Sequence, residues 1–416
     1  MIYKIRPVSP PGAHIMNRRI DSIDLLRGIV MVIMMLDHTR DFVHNAALQF
    51  DPTDLSRTNI ALFLTRWITH FCAPVFVFLA GTGAYLQLAR GKTKAELSRF
   101  LVTRGLWLIF LELTLVKLGV FFNPDIRFLG FLQVIWVIGI SMIILAMLIY
   151  LPKSVIAAIG LLMIALHNLL DSVRVEGWHG PGTPTPALSE KLWILLHQAF
   201  YAFPVLGDNT PVIAVIYPLV PWVGVMAVGY VFGALYQLDA PRRRRLLLII
   251  GGVVTALFIV IRAINIYGDP SHWSQQKNFV FTVLSFLNTT KYPPSLLFLL
   301  MTLGPSILVL ALFEAKESGG ALRNAFVTFG RVPLFFYLLQ WYTAHLISIL
   351  LHFAFGKPVS WLWQSPINFG QPQPGIGFNL VVVYLAWMAG VLLLYPLCKW
   401  FAGVKQRRRD WWLSYL

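Results

Sequence analysis

The sequence predicts an all-α protein that crosses a membrane about ten times. Of its 416 residues, 57% are hydrophobic and only 12% are charged, which is about half the charged fraction of ordinary soluble domains. The mean hydropathy is +0.69. Apolar runs of roughly twenty residues, the length that a helix needs to cross a bilayer, recur along the whole chain. β-Barrel strands are shorter and alternate in polarity, so they are not expected.

The ten predicted spans follow the apolar runs, which lie at about 21–38, 60–89, 100–121, 129–150, 153–170, 211–236, 244–266, 294–313, 326–354 and 378–402. Residues 190–203 are too short to cross comfortably, so we expect an interfacial or re-entrant helix there. No internal repeat or soluble domain interrupts the pattern. We therefore predict one membrane domain, residues 19–404, between a cytoplasmic N-terminal tail (residues 1–18) and a basic cytoplasmic C-terminal tail (residues 405–416).

The net charge of +16 is mostly explained by topology. Lys and Arg alternate sides loop by loop, with 22 of the 34 on the side of the two termini, nine on the other side and three within spans. Cytoplasmic loops of membrane proteins carry such an excess of Lys and Arg. Both termini are therefore predicted to be cytoplasmic, and no nucleic-acid partner is expected.

Neither the cysteines nor the N-terminus indicates an exported, disulfide-bonded domain. Cys72 and Cys398 both fall in apolar segments and give neither a disulfide framework nor a metal-ligand spacing, so no metal is expected. The first seventeen residues contain no apolar core, so the first helix is expected to serve as an uncleaved signal anchor.

The first span holds an unusual pair of side chains. Arg27 and His38 are eleven residues apart, so at about 100° per residue they share one helix face, roughly 16.5 Å apart along the axis. Such a stripe is unusual for an anchor. The stripe suits a tunnel through the membrane. A charged group of a ligand would be held at one end of the tunnel, and a reaction would take place at the other end.

His38 is the first candidate for catalysis. An imidazole can take a proton from an attacking hydroxyl or amine at neutral pH. Asp37 precedes it and Asp41 follows at i+3, and either carboxylate is expected to orient the ring and fix its tautomer. The alternative is that this polar run marks only the point where the helix leaves the membrane.

Arg27 is the matching cation. An arginine within a span costs about 2.5–3.5 kcal/mol on insertion scales, so it usually faces a partner or a water-filled cavity. One interpretation is a simple pair with Asp24 at i−3. The other is that Arg27 meets an anionic group that enters from the cytoplasm.

Further candidates lie near other predicted helix ends. His70, one turn after Arg66, is a second candidate histidine, or else a helix-end histidine bonded to a carbonyl. Arg104 and Arg99, at the start of the third span, are candidate phosphate contacts, although basic residues are common at cytoplasmic helix ends.

On the outer side, Lys291 and Tyr292 precede the eighth span. Lys291 would neutralise an acidic substrate or anchor the helix at the interface, and His345 in the ninth span is expected to make an interhelical hydrogen bond. The sequence shows no motif typical of ATP, dinucleotide or zinc binding.

Two runs, RIDSIDLLRGIVMVIMMLDHTRDF and WITHFCAPVFVFLAGTGAYL, resemble a bacterial membrane family grouped with the catalytic domain of lysosomal heparan-α-glucosaminide N-acetyltransferase. The runs VIYPLVPWVGVMAVGYVFG, KYPPSLLFLLMTLGP and FGRVPLFFYLLQWY extend the resemblance over nearly the whole chain. We therefore expect a multi-pass protein of the bacterial cytoplasmic (inner) membrane.

A wider resemblance is to membrane acyltransferases that O-acetylate cell-surface sugars, in which an arginine, ten residues and a histidine follow one another in the first helix. Arg27 and His38 match that spacing. The resemblance implies ten or eleven helices, acetyl-CoA as the donor on the cytoplasmic side, and acetyl transfer to a saccharide on the far side. His38 would be the general base, and Arg27 with Arg104 would hold the CoA phosphates.

The chain departs from these relatives at two positions. In the lysosomal enzyme the active histidine lies in the loop after the first helix, which would correspond more closely to His44; we prefer His38 because it shares a helix face with Arg27. Gln340 stands in the ninth span where related sequences favour histidine, so a catalytic role for that span is not expected.

The leading hypothesis is therefore an inner-membrane acyltransferase whose partners are acyl-CoA, a saccharide acceptor and membrane lipid. N- and O-transfer, an acyl-histidine intermediate and a homodimer are all compatible with it. The rival is a transporter or flippase for a small anionic or lipid-linked solute, with Arg27, Glu112, Lys117 and Arg262 along its pathway. A structural or sensory membrane protein would leave the relation between Arg27 and His38 unexplained.

Overall fold

A computed structural model describes residues 20–47, 49–180, 182–207, 211–315, 319–365, 374–408 and 410–415. The predicted N-terminal tail, residues 1–18, lies outside them. The described chain is α-helical apart from three short strands, which confirms the all-α class.

Fifteen α-helices are formed by the described residues: α1 Asp21–Val43, α2 Ile60–Thr69, α3 Cys72–Ala89, α4 Lys94–Leu111, α5 Lys117–Phe121, α6 Val134–Leu148, α7 Lys153–Leu166, α8 Leu188–His197, α9 Leu219–Phe232, α10 Ala240–Ile264, α11 Phe279–Leu287, α12 Leu296–Glu314, α13 Ala321–Arg331, α14 Pro333–Ala354 and α15 Leu380–Arg407. A π-helical segment, Glu112–Val116, joins α4 to α5. Short 3-10 turns extend α7 to Leu170 and α9 to Gln237.

Seven helical segments of the described chain are long and apolar enough to cross a membrane: Ile60–Ala89, Lys153–Leu170, Leu219–Gln237, Ala240–Ile264, Leu296–Glu314, Pro333–Ala354 and Leu380–Arg407. This confirms a multi-pass membrane protein. Helix α1 and the α4–α5 helix are as long but carry more charge, and α6 is apolar but shorter. The count of ten spans stays a prediction.

Two predicted spans are broken by proline. Helices α2 and α3 are separated at His70 and Phe71, because Pro74 in the first turn of α3 has no amide hydrogen to continue the helical ladder. Helices α13 and α14 are separated at Val332, whose backbone leaves the helical region (φ −130°, ψ 49°) ahead of Pro333.

The predicted starts of two spans, residues 129 and 211, are wrong, because both segments begin with a strand. Strands β1 (Phe128–Leu132), β2 (Tyr201–Pro204) and β3 (Val212–Val215) form a sheet in the order β1-β3-β2. β1 pairs with β3 in parallel, and β2 pairs with β3 antiparallel. The apolar run continues from strand into helix in both places, so hydrophobicity alone cannot locate the boundary.

Helix α1 lies at the centre of the helical bundle, buried against α13, α14 and α15. Gly28 and Gly330 allow its backbone to touch that of α13, since a Cβ added at Gly28 would lie 1.8 Å from the Phe326 carbonyl oxygen. A Cβ added at Gly330 would lie 1.8 Å from the carbonyl oxygen of Asp24. This approach places Arg27 directly beside the end of α13.

Candidate active site

Two cavities lie along α1, one beside its N-terminal half and the other beside its C-terminal half. They share part of their walls. The first has a volume of about 590 Å³ and the second about 240 Å³. Phe76 of α3 and Val134 of α6 line both. Helix α1 runs along the pair, with Arg27 in the wall of the first cavity and His38 in the wall of the second. We call them the basic cavity and the histidine cavity.

The basic cavity is rich in cationic side chains. Its lining includes Arg27, Arg90, Lys92, Arg104, Arg331 and Lys405. Carboxylate side chains are absent from the lining formed by the described residues. Apolar side chains such as Met31, Leu79 and Ile138 form the deeper wall. The cavity therefore suits a ligand with an anionic end and a less polar remainder.

Arg27 pairs with Asp24 and also lines the basic cavity. Its Nη1 donates to Asp24 Oδ1 at 3.1 Å and to the Gly330 carbonyl oxygen at 3.1 Å. The Asp24 pair is thus real, and the side chain nevertheless lines the basic cavity. The two bonds fix the guanidinium at the mouth of the cavity.

Of the two other predicted phosphate contacts, Arg104 lies in the cavity lining and Arg99 lies outside it. Arg104 lines the basic cavity, and its Nη1 donates to the Ser414 carbonyl oxygen at 2.6 Å. Arg99 is exposed and is not part of the lining. Sequence reasoning overlooked Arg90, Lys92, Arg331 and Lys405, whose only signal was the general excess of basic residues in cytoplasmic loops.

His38 is held by two consecutive residues of α14. Its Nδ1 lies 2.9 Å from Gln340 Oε1 and 2.6 Å from Gln340 Nε2, so the Gln340 amide is its hydrogen-bond partner. The imidazole stacks on Trp341 with ring centroids 3.7 Å apart and planes at 18°. A catalytic role for this span is not expected from the sequence, yet the structure brings the span into direct contact with the candidate base.

The predicted orientation of His38 by Asp37 or Asp41 is not what the structure shows. Asp37 forms ion pairs with Arg66 and, at 3.0 Å, with Arg40, while Asp41 pairs with Arg40 at 2.5 Å. The hydrogen-bond partner of His38 Nδ1 is Gln340 instead. All four charged residues line the histidine cavity. Asp37 is buried and pairs with two arginines, because a buried carboxylate without an opposite charge is strongly destabilising.

His44 lies just beyond α1 and is buried. Its Nδ1 accepts the Ala46 amide hydrogen at 3.1 Å, and its backbone pairs with Phe378. Burial and, after it, the charge of Arg40 lower the pKa of His44 to about 4. His44 is absent from both cavity linings, as far as the described residues form them.

His70 lies at the break between α2 and α3, and it too is buried. Its ring lies 5.4 Å from that of Phe298, and its Nδ1 has no hydrogen-bond partner among the described residues. The ring is not part of the histidine-cavity lining, although its neighbours Thr69 and Cys72 are.

Lys291 and Tyr292 line the histidine cavity. The Lys291 ammonium lies 5.1 Å from the centroid of the Tyr292 ring. Burial acts to raise the pKa of the Tyr292 hydroxyl, and the charges of Lys291 and Arg66 outweigh it, so the pKa is lowered. The lining also contains Asp37, Asp41 and Asp51 beside Arg40, Arg66 and Lys291, so the cavity is suited to polar groups.

The remaining charges expected within spans serve structural purposes. Arg262 donates to the backbone carbonyls of Ser271, Ser285, Phe286 and Asn288. Glu112 accepts the Trp136 amide hydrogen at 3.0 Å, in the first turn of α6. Lys117 donates to the Asp125 carbonyl oxygen at 2.8 Å. Among the described residues these three line neither of the two cavities.

His345 makes the expected interhelical contacts. Its Nδ1 lies 3.1 Å from the Gly119 carbonyl oxygen of α5, and its Nε2 lies 3.0 Å from the Leu362 carbonyl oxygen. The ring also stacks on Phe122. Both nitrogens are therefore engaged in packing rather than in either cavity.

Comparison with known protein families identifies one whose model matches this chain. The family described as "Heparan-alpha-glucosaminide N-acetyltransferase, catalytic" matches residues 19–267, more than half of the chain. The matched region includes α1 with Arg27 and His38, and both residues shared by the two cavities. No curated protein matches the chain. The chain belongs to the heparan-α-glucosaminide N-acetyltransferase catalytic family and is a multi-pass membrane transferase of the acetyltransferase type.

Proposed function

We propose that the protein moves an acetyl group from cytoplasmic acetyl-CoA to a hydroxyl or amine of a saccharide on the opposite side of the membrane, with His38 as the general base. The observation that carries the proposal is the pair of cavities that share Phe76 and Val134. One is suited to an anionic donor, and the other contains a histidine near several polar side chains.

The donor's nucleotide end would occupy the basic cavity. The phosphates of CoA need cations, and arginine is well suited because its planar fork can bond two phosphate oxygens at once. Arg27 and Arg104 would make these contacts, with Arg90 and Lys92 nearby. Along α1 the path from Arg27 to His38 is roughly 16.5 Å, which the extended pantetheine arm of CoA can cover. The thioester would then lie close to Phe76 and Val134.

The acceptor would enter the histidine cavity. Arg66, Lys291 and Tyr292, which line it, would bind the polar groups of the acceptor. Because Nδ1 of His38 is bonded to Gln340, Nε2 is the nitrogen left for the acceptor's proton.

The reaction would be a direct transfer. The acceptor oxygen or nitrogen attacks the thioester carbonyl carbon while His38 takes its proton. The carbon–sulfur bond then breaks, and the CoA thiolate leaves and receives that proton. The ion pairs of Asp37 and Asp41 with Arg40 and Arg66 would fix the charged wall around the acceptor.

The test uses membranes that contain the full-length protein, labelled acetyl-CoA and a panel of saccharides. We expect label to reach a saccharide, and His38→Ala to reduce the rate by about 10²–10⁴-fold, the usual contribution of a general base. His44→Ala is the matched control and should retain most of the activity. Full activity of His38→Ala, or a solute flux without loss of the acetyl group from CoA, would overturn the proposal.

A further inference from the structure

Away from both cavities, three side chains of types that commonly bind metal ions come together where α7 ends. The ligand atoms of His167, Asp171 and His197 all lie within 4.8 Å of one another. We propose that these three residues bind a divalent transition-metal ion, with zinc as the best match. The site would be separate from the transfer reaction, because none of the three lines either cavity as the described residues form them.

The local fold brings the three side chains together. His167 begins the 3-10 turn that extends α7, and Asp171 directly follows that turn. His197 is the last residue of α8. Its Nε2 lies 3.1 Å from Asp171 Oδ1, and the rings of His167 and His197 have centroids 5.6 Å apart. Thus two helix ends that are about thirty residues apart in sequence present their side chains to one point.

The imidazoles of His167 and His197 are buried, and three of their four nitrogens lack a hydrogen-bond partner among the described residues. His167 and His197 are each only 2% exposed. Neither nitrogen of His167, nor Nδ1 of His197, has a hydrogen-bond partner of good geometry among the described residues, although the Pro294 carbonyl is near His167. Leaving a buried polar group unsatisfied costs about 1–3 kcal/mol. A metal ion would engage the His167 nitrogen that faces the cluster.

The chemistry of the three ligands suits zinc. Two imidazole nitrogens and one carboxylate oxygen are common zinc ligands, and three protein ligands leave a fourth position for water. With metal–ligand bonds of about 2.0–2.2 Å, tetrahedral ligand atoms lie about 3.4 Å apart. The His197 and Asp171 atoms are already near that separation, at 3.1 Å, so binding would mainly draw His167 inward. Asp171 is 21% exposed in its side chain, which gives an ion a route from solvent.

The surrounding bonds also resemble the support that metal ligands usually have. Asn168 Nδ2 donates to Asp171 Oδ2 at 2.8 Å, leaving Oδ1 toward His197. Such outer hydrogen bonds orient a ligating carboxylate. The Asn168 Oδ1 in turn accepts the Leu296 amide hydrogen at 2.9 Å, at the start of α12. A bound ion would therefore tie α7, α8 and α12 together.

The test measures metal binding by the full-length protein in detergent, purified through a tag that contains no histidine. After dialysis against a chelator, Zn²⁺ is added and the bound metal is counted by elemental analysis. Co²⁺ serves as a probe, since its visible absorption reports a four-coordinate site. We expect one bound ion, and its loss in both His167→Gln and His197→Gln, which keep a polar side chain and so favour folding.

The control is His179→Gln, which removes an exposed histidine from the same connecting segment and should leave the bound ion in place. Thermal melting with and without Zn²⁺ gives a second readout: the melting temperature should rise with zinc in the wild type and in the control only. The proposal is overturned if the wild type binds no ion, or if the two glutamine variants at 167 and 197 bind as much as the control.

Discussion

The imidazole of His38 owes its position to side chains that are about three hundred residues away in sequence. Gln340 bonds to Nδ1 and Trp341 covers one ring face, so α14 decides which nitrogen is free and which way it points. The carboxylates next to His38 in sequence are occupied by Arg40 and Arg66. A residue's neighbours along the helix were thus a poor guide to its partners.

Replacing Gln340 by the apolar isostere methionine should slow the chemical step. We expect Gln340→Met to lower kcat by about tenfold, or about 1.4 kcal/mol, because the ring loses the bond that orients it. The KM for acetyl-CoA should stay the same. Gln340→Glu retains an acceptor for Nδ1 and should retain most of the activity. An effect of Gln340→Met on the donor's KM, with kcat unchanged, would indicate a structural role instead.

The cations of the basic cavity allow a matched comparison. Arg104→Ala should raise the KM for acetyl-CoA by about 10–100-fold, because a hydrogen bond to a charged group contributes about 1.5–3 kcal/mol. Arg99→Ala removes the same charge from an exposed position of α4 outside the cavity. It should leave the KM unchanged, and equal effects of the two substitutions would argue against a phosphate site at Arg104. Steady-state kinetics with varied donor provides the measurement.

At the scale of helices and strands, the sequence predicted the existence of most elements better than their ends. Long apolar runs marked seven helical segments of the described chain that are long enough to cross a membrane, because twenty apolar residues have few other uses. The breaks at Val332 and before Pro74 fell inside continuous apolar runs, and so did the entries into β1 and β3. Whether an apolar residue packs in a strand or in a helix depends on its neighbours in space.

The contact between α1 and α13 depends on two glycines that face each other's backbones. Gly28→Val should therefore lower the stability by about 1–3 kcal/mol or prevent accumulation of folded protein, since there is no space for a side chain. Gly252→Ala is the control, because a Cβ there meets nothing within 4 Å. It should be neutral or slightly stabilising, as alanine is the better helix former. Thermal melting in detergent, followed by size-exclusion chromatography, compares the two.

Over the whole molecule, the charges within predicted spans divide into those that line cavities and those that hold helices together. The sequence placed Arg27 and His38 on one stripe, and the structure puts them in the walls of adjoining cavities. The sequence offers no means of separating Arg27 from Arg262, whose four carbonyl partners lie in α11 and in the segments on either side of it. That distinction depends on tertiary contacts, which one sequence does not reveal.

The shared wall gives a test of communication between the two cavities. Val134→Trp should block the passage and abolish acetyl transfer while donor binding at the basic cavity is retained, because the cationic residues are untouched. Met147→Trp adds the same ring at an exposed position of the same helix and should be active. Calorimetric titration with CoA, beside the transfer assay, separates binding from turnover. Unchanged transfer by Val134→Trp would mean that the reactants meet elsewhere.

A short turn near the C-terminus contributes Ser414 to the lining of the basic cavity. Residues Trp411–Tyr415 form a 3-10 turn that packs on α4, with Tyr415 2.7 Å from Thr103 and the Ser414 carbonyl bonded to Arg104. This turn therefore joins a segment about three hundred residues away in sequence to an arginine that we propose binds the donor. A bulky label attached to the turn is expected to weaken donor binding without unfolding the protein, so activity measured with such a label would underestimate that of the unlabelled protein.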